Sequence, residues 1–384
     1  MWIYYYGRIL MKVLHIADFH LDSAFSGFEK DVADKKREEL RECFASAMAL
    51  VKERDIKLVL IAGDLFDTPF CTGATRRAVF DAIERAGVPV VIAPGNHDYY
   101  NKNGTYSDRG LPENAYVFTS DELGRFDFDE LGVSVVGYAF TSEKYEKNPL
   151  ADEIPLSETN VNILCAHAEL GSHISRYAPI SPNAIARAGF AYAALGHVHR
   201  PPMPATAGAT LIAYSGFPQG RSFDETGEGG VYIIDLDVNT KVINYERVVT
   251  SRLTYEIERL DITSHSSDVE VAERIRDLVL LRGYGEDTAL RVVLCGSVPS
   301  DYTPTLRGIE SCAVLPPLAL LQIRDNTSAS YDLDHLKGDM TVRGEVYRTL
   351  LPLLESDDEQ ERKKASLALK FALAALDKRE LGVD

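Results

Sequence analysis

No stretch of this chain approaches the ~20 continuous apolar residues that a bilayer-spanning helix needs, so a membrane protein is not expected. Cysteine is sparse and scattered. Cys43, Cys71, Cys165, Cys295 and Cys312 form no CxxC pair and no short even-numbered framework, which argues against a disulfide scaffold and for reduced thiols in a cytoplasmic protein. The opening MWIYYYGRIL is apolar but lacks a basic n-region and a small-residue cleavage site, so it does not read as a secretory signal. With Met11 directly ahead of the first strand-like run, residues 1–10 read as a start extension without function. Positive charge is short as well: 41 Lys+Arg face 58 Asp+Glu, a net charge of −17. Beyond residue 250 the count is 17 basic to 24 acidic, so the excess is not confined to one tail. A protein that grips nucleic acid through phosphates alone usually carries a basic footprint. Any such binding here has to come from local patches, bound cations or a partner subunit. Internal repeats and low-complexity tracts are absent.

What is present is an ordinary globular composition, 45% apolar and 26% charged, over 384 residues. That length suits a main domain with one or two smaller units. Six runs read as buried strands: KVLHIA (12–17), KLVLIA (57–62), VPVVIA (88–93), VSVVGYA (133–139), NILCAH (162–167) and YAALG (192–196). A helix is expected over 34–53, with Leu40, Cys43, Phe44, Ala47, Met48 and Val51 on one face, and another over about 73–86, closed by Gly87. ATLIAYSG, GGVYIIDLD and KVINYERVV then read as consecutive strands. Strands interleaved with helices first and hairpins later predict an α/β fold in which two sheets pack together under helices. A compact α+β unit follows over 252–326, then a polar loop (326–339) and helical segments at 340–351 and 357–379. The last helix has Asp357, Asp358 and Glu359 at its start and Lys378 and Arg379 at its end, which suits its dipole. Leu367, Leu369, Phe371, Leu373 and Leu376 point around it, consistent either with packing on the second domain or with docking in a partner's groove.

Five short clusters each follow a predicted strand: Asp18-Phe19-His20, Gly63-Asp64-Leu65-Phe66-Asp67, Gly95-Asn96-His97-Asp98, His167, and Gly196-His197-Val198-His199. Loops at strand C-termini of α/β folds converge on one crevice, so these ends can meet. Alone, each cluster is weak, since a histidine after a strand is more often a hydrogen-bonded structural residue. Together they bring two carboxylates (Asp18, Asp64), the Asn96 amide and four imidazoles (His20, His167, His197, His199) besides His97. Mixed oxygen and nitrogen donors suit Mn²⁺, Fe or Zn²⁺ in a dinuclear site better than Ca²⁺. His15, within the first strand, reads as a satisfied core histidine. His173, His265 and His335 read as solvated.

DxH, GDxxD, GNHD, a separate His and GHxH, in that order, resemble the calcineurin-like metallophosphoesterase superfamily. The stretches HIADFHLDS, GDLFDTP, APGNHD, YAALGHVHR and YSGFPQGRSFDETGE resemble more narrowly the SbcD-like and YhaO-like (Mre-type) bacterial DNA repair nucleases. The resemblance covers residues 12 to about 250 with specific motifs and the remainder more loosely. It implies a four-layer α/β/β/α sandwich of two mixed sheets at 11–250, a small α+β capping domain at 252–326 and a C-terminal helical segment at 340–384 for docking an ATPase partner. It implies two divalent cations, foremost Mn²⁺. One would be held by Asp18, His20, Asp64 and His199, the other by Asp64, Asn96, His167 and His197, with Asp64 as the bridge. His97 would sit over the scissile phosphate, and Asp67 would orient and charge it. Arg221 could meet a phosphate, and Phe223 and Tyr99 flank the site, where an aromatic stacks on a base or wedges a strand end; loop packing is the alternative reading.

Three functions stay open from the sequence. The first is an Mn²⁺-dependent DNA nuclease working with an SbcC/YhaN-like coiled-coil ATPase, as a homodimer joined through helices 34–53 and 71–86. The second is a small-molecule phosphodiesterase or phosphatase of the same superfamily. The third is a metal-free interaction module on the same fold.

Overall fold

The computed structural model describes residues 10–107, 110–171, 174–299, 302–312, 314–330 and 333–376. The readings of residues 1–9, His173, Lys378 and Arg379 lie outside these. Residues up to Thr254 form one compact unit and those from Tyr255 a second.

In the first unit, apolar runs rich in Val, Ile and Leu make the strands, and their termini lie within a few residues of the expected positions. The order is β1 (Leu10–Ile16), α1 (Lys30–Glu53), β2 (Leu58–Ile61), α2 (Gly73–Ala86), β3 (Val90–Ile92), β4 (Ala115–Val117), β5 (Gly124–Phe128), β6 (Val133–Gly137) and β7 (Val161–His167). There follow β8 (Glu169–Leu170), β9 (Pro179–Ile180), α3 (Pro182–Ala188), β10 (Tyr192–Gly196), β11 (Ala205–Ala207), β12 (Thr210–Tyr214), β13 (Gly230–Asp237) and β14 (Ile243–Val249). Leu10, assigned to a start extension by sequence, is thus the first residue of β1 and pairs with Asp237 of β13.

One sheet has the order β14-β13-β1-β2-β3-β4, the other β11-β12-β10-β7-β6-β5. In the first, β1 to β4 run parallel while β13 lies antiparallel to β1. In the second, β12, β10, β7 and β6 run parallel, flanked by antiparallel β11 and β5. Alternation along β1 and β2 sorts the layers. Leu14, Ile16, Val59 and Ile61 pack on Leu40 and Phe44 of α1 and Val79 and Ile83 of α2. Val13, Leu58, Leu60 and Val91 instead meet Val135, Ile163 and Cys165 of the other sheet. The outer face of that sheet, with Leu164, Ala193 and Leu195, packs on Ile185 of α3. The result is helices, sheet, sheet, helix. α2 starts where the Thr72 hydroxyl accepts from the Thr75 N–H and stops at left-handed Gly87.

The second unit opens on β15 (Thr254–Asp261), α4 (Asp268–Arg282), β16 (Thr288–Cys295) and β17 (Ser297–Pro299), followed by α5 (Leu306–Glu310), β18 (Leu320–Asp325) and β19 (Ser328–Ser330). The sheet order is β15-β16-β18, with Ile275 and Val279 of α4 against Leu290, Val292 and Ile323. The stretch expected as a polar loop over 326–339 instead carries β19 and a short helix, α6 (Leu333–Gly338). Its Leu336 is buried with Tyr347 of α7 (Val342–Leu354) and Leu369 and Leu373 of α8 (Glu359–Leu376), which is why a polar segment turns helical. Leu367, Phe371 and Leu376 of α8 stay exposed. Among the described residues no helix is long and apolar enough to cross a membrane.

Candidate metal centre

Parallel pairing puts the C-terminal ends of β1, β2, β3, β7 and β10 on the same side of the two sheets, and the loops there are tied to one another. The Asp18 N–H donates to Gly63 O (3.1 Å), His20 N–H to Asp64 O (2.9 Å) and Leu21 N–H to Leu65 O (2.9 Å). Asp98, buried at the end of GNHD, accepts from the main-chain N–H of Asp64 (3.0 Å), Leu65 (2.9 Å) and Gly95 (2.7 Å) and from the Tyr106 hydroxyl (2.5 Å). A carboxylate suits this buried hub because several donors converge on it and its two oxygens can accept them all. Backbone strain collects here too: Asp18 (φ 55), His20 (φ 46), Asp64 (φ 50) and His197 (φ 104) take left-handed conformations. Close approach explains the strand-end glycines. A Cβ on Gly63 (φ 88) would overlap the His167 ring, and one on Gly196 would overlap the Ala62 carbonyl.

Six of the seven expected ligands draw together. Asp64 Oδ2 lies 3.3 Å from His167 Nε2 and 3.6 Å from His20 Nε2, while Asp64 Oδ1 accepts the His97 main-chain N–H at 2.9 Å. His20 Nε2 and His199 Nε2 stand 3.1 Å apart, and His167 Nε2 is 3.0 Å from Asn96 Oδ1. Asp18 Oδ1 is 4.0 Å from His199 Nε2 and accepts the His197 N–H at 3.0 Å. Asp18, His20 and His199 form one group of potential ligand atoms, and Asp18, Asp64 and His167 another. The His197 ring belongs to neither among the described residues; it packs edge-on to His167 (centroids 5.1 Å apart) and on Tyr177 (4.7 Å).

Each inward-facing ring is held from behind. His20 Nδ1–H donates to Asp67 Oδ1 (3.2 Å), His199 Nδ1–H to Glu225 Oε1 (2.8 Å) and His167 Nδ1–H to Ala62 O (3.0 Å). That commits Nδ1 as donor and turns Nε2 inward as a Lewis base. Two such nitrogens 3.1 Å apart repel unless a proton or a cation lies between them. The titration behaviour reflects the same crowding. Burial pushes Asp18 up to about 6 and holds His20 and His197 down to about 4. Burial also disfavours charge on Asp64 and His167, but their mutual attraction wins: Asp64 falls well below the usual carboxylate range and His167 rises to about 9. Burial thus leaves the His20 and His197 rings neutral beside an ionised Asp64. Carboxylate, amide and imidazole donors converging without a thiolate fit divalent cations, which displace those protons on binding.

His97 is exposed and lines a cleft of ≈ 290 Å³ with Tyr99, Asn96 and Tyr177. Its Nδ1–H donates to the main-chain oxygen of Asp67 (3.3 Å), whereas the Asp67 carboxylate, 4.0 Å away, serves His20. Asp67 thus touches His97 through its backbone, because its side chain is already committed behind a ligand-type ring. Arg221, read from the sequence either as a phosphate contact or as loop packing, has its guanidinium against Glu225, Ser23 and Asp67. Phe223 is partly buried. Ser23, Asp98 and Glu225 escaped the sequence reading; Asp98 had a visible signal as the last residue of GNHD, while Glu225 stood out only by its i+4 spacing from Arg221. His15 is buried, its Nδ1 2.7 Å from the Tyr192 hydroxyl and its Nε2 3.2 Å from Leu195 O, away from the ligand groups.

A helix–sheet–sheet–helix sandwich that gathers carboxylates, an amide and imidazoles at its parallel strand ends has the build of a metallophosphoesterase. Residues 11–201 match the calcineurin-like phosphoesterase family, and through this domain the chain belongs to it and is a metal-dependent phosphoesterase. It is similar to the uncharacterized metallophosphoesterase YhaO of Bacillus subtilis, at 26% identity over 75% of this chain and 72% of the relative. It is also similar to the DNA double-strand break repair protein Mre11 of Methanopyrus kandleri (25% identity, 87% of this chain, 75% of the relative). A third relative is the SbcD component of the SbcCD nuclease of Bacillus subtilis (25% identity, 59% of this chain, 66% of the relative).

Proposed function

We propose that the chain is a DNA repair nuclease that hydrolyses phosphodiester bonds with two divalent cations, Mn²⁺ foremost. The observation that carries the reading is Asp64 Oδ2, which lies within 3.6 Å of both His20 and His167 and so suits a carboxylate shared by two cations. Asp18, His20, Asp64 and His199 would hold one cation, and Asp64, Asn96, His167 and His197 the other. Bound there, the pair supplies the Lewis acidity that activates water and offsets charge on the phosphoryl oxygens. The chain's own residues do the rest. Ring orientation is kept by Asp67, Glu225 and the Ala62 carbonyl. His97, anchored through Nδ1 and open to the cleft, is left with Nε2 for the substrate, where it stabilises the transition state or protonates the leaving oxygen as the P–O bond breaks.

DNA as the substrate is supported by the relatives, a double-strand break repair protein and a nuclease component. An SbcC/YhaN-like ATPase partner is part of this reading, with the second unit as capping domain and docking segment. Such a partner would also supply the basic surface that a chain of net charge −17 lacks. The reading extends to a homodimer through α1 and α2 and to action in the cytoplasm. The test is digestion of end-labelled linear and hairpin DNA in Mn²⁺ and in Mg²⁺, with and without an SbcC-like partner. His97→Ala is expected to keep both metals and lose about 10²–10⁴-fold in cleavage; wild-type cleavage in the variant would sink the role given to His97. The acidic charge favours one competitor, a small-molecule phosphodiesterase. Hydrolysis of an aryl phosphodiester with no cleavage of DNA under any of these conditions selects it.

A further inference from the structure

Arg221 lies outside the strand-end motifs, yet it is the common partner of two carboxylates that stand behind two different histidines. Its Nε lies 3.1 and 3.2 Å from the two Glu225 oxygens and its Nη2 2.5 Å from Glu225 Oε1, while Nη1 reaches Ser23 Oγ at 3.1 Å and Asp67 Oδ1 at 3.5 Å. The Arg221 main-chain N–H adds a bond to Glu225 Oε2 (2.8 Å), and the Ser23 hydroxyl one to Asp67 Oδ1 (3.3 Å). Glu225 is the acceptor for His199 Nδ1–H and Asp67 the acceptor for His20 Nδ1–H. A neutral imidazole carries a single N–H, so fixing it at Nδ1 fixes the lone pair at Nε2. Each of these two rings has its Nε2 turned to the other's, 3.1 Å away.

We infer that Arg221 is a positioning residue: one guanidinium holds both carboxylates and so sets the tautomer and orientation of His20 and His199 together. The planar fork matters as much as the charge, because it grips Glu225 through Nε and Nη2 while Nη1 points the other way. His167 is built otherwise. Its Nδ1–H donates to a main-chain carbonyl at the end of β2, which no side chain has to hold in place. The ligand set is therefore asymmetric, one half resting on backbone and the other on a side-chain network of Ser23, Asp67, Arg221 and Glu225. Cutting that network loosens only the His20/His199 half. The inference rests on the reading that these histidines hold a metal, but ring state can be read without one.

The experiment uses the full chain labelled with ¹⁵N-histidine and stripped of metal with a chelator, in mildly alkaline buffer. Imidazole ¹⁵N shifts are expected to show His20 and His199 as Nδ1–H forms in wild type and as mixed tautomers in Arg221→Gln, with His167 unaltered. On titration with Mn²⁺, Arg221→Gln is expected to bind one equivalent about 10–100-fold more weakly and the other as wild type does. Arg221→Lys keeps the charge without the fork; it serves if the Gln variant does not fold, and it is expected to show the same redistribution of tautomers. Wild-type ring states in either variant, or equal weakening of both equivalents, overturn the inference. If wild type binds no Mn²⁺ at all, the metal reading above fails, while the ring states still decide whether Arg221 positions the two histidines.

Discussion

The two units of the chain treat polar groups in opposite ways. The first buries His15, Asp18, His20, Asp64, Asp98, His167 and Glu225; in the second, Thr288 is the one buried polar side chain among the described residues. Among the described residues, non-glycine positions in the left-handed region divide the same way, nine before residue 254 and only Ser264 after it. Buried charge costs several kcal/mol unless paired, and each strained residue about 1–3 kcal/mol, so neither persists without surrounding structure that over-determines it. Among its described residues the second unit has no buried charge to hold. Its core is aliphatic, and its exposed carboxylates cap turns, as Asp261 does for Thr263 and Asp325 for Thr327. Four of the nine strained residues, Asp18, His20, Asp64 and His197, belong to the candidate centre, and three of these are also buried.

The strongest way to break this contrast is to remove its centre. Asp64→Ala is expected to lose bound metal and to slow hydrolysis of a small aryl phosphodiester on the order of a thousandfold or more, the several kcal/mol of charge stabilisation that a bound cation contributes. Asp268→Ala, which removes a carboxylate serving Tyr302 and Thr305 in the second unit, is expected to leave metal content and that rate unchanged. Metal analysis by mass spectrometry with a colorimetric assay reads both. Truncation after Thr254 comes next: metal binding and aryl-diester hydrolysis are expected to survive, with cleavage of DNA lost. A truncated chain that folds but binds no metal would show that the first unit is not self-sufficient.

Smaller effects sharpen the contrast through glycine. Gly63→Ala pushes a Cβ into the His167 ring at φ 88 and is expected to cost about 3 kcal/mol or more, while Gly283→Ala, with open space around it at φ 71, costs about 1 kcal/mol. Urea unfolding curves measure both, and equal losses would contradict the packing argument. The smallest effect concerns His15, which burial holds down to about 3. Unfolded, it titrates near ~6.5, so between these values the unfolded chain binds more protons and stability rises with pH. Its contribution is complete above the unfolded value and declines as pH falls toward 3, by up to about 1.4 kcal/mol per pH unit. Wild type should therefore lose more stability than His15→Leu between neutral pH and mild acid; parallel losses would remove His15 from the account.

Much of this was legible in the residues alone. Near-continuous apolar runs marked the buried strands, a helical period marked α1 and α2, and parallel strands in α/β folds put their C-terminal loops together, so clusters after five such runs could meet. Short or partly exposed elements were not legible: β4 and β5 carry mixed patterns, and α6 is helical only because Leu336 finds Tyr347 and Leu373. Asp67 and Arg221 show the limit most clearly. Both were visible as charged residues near the motifs, yet which ring a carboxylate serves depends on distances such as 3.2 Å from Asp67 to His20 against 4.0 Å to His97, set among residues 26 to 198 apart in the sequence. The chain by itself determined the kinds of donor atoms and the strand ends that present them, because residue type and period are local properties. Only the tertiary structure decided that Asp67 stands behind His20, that Glu225 stands behind His199, and that one guanidinium spans the two, because hydrogen bonds are decided by distance in space.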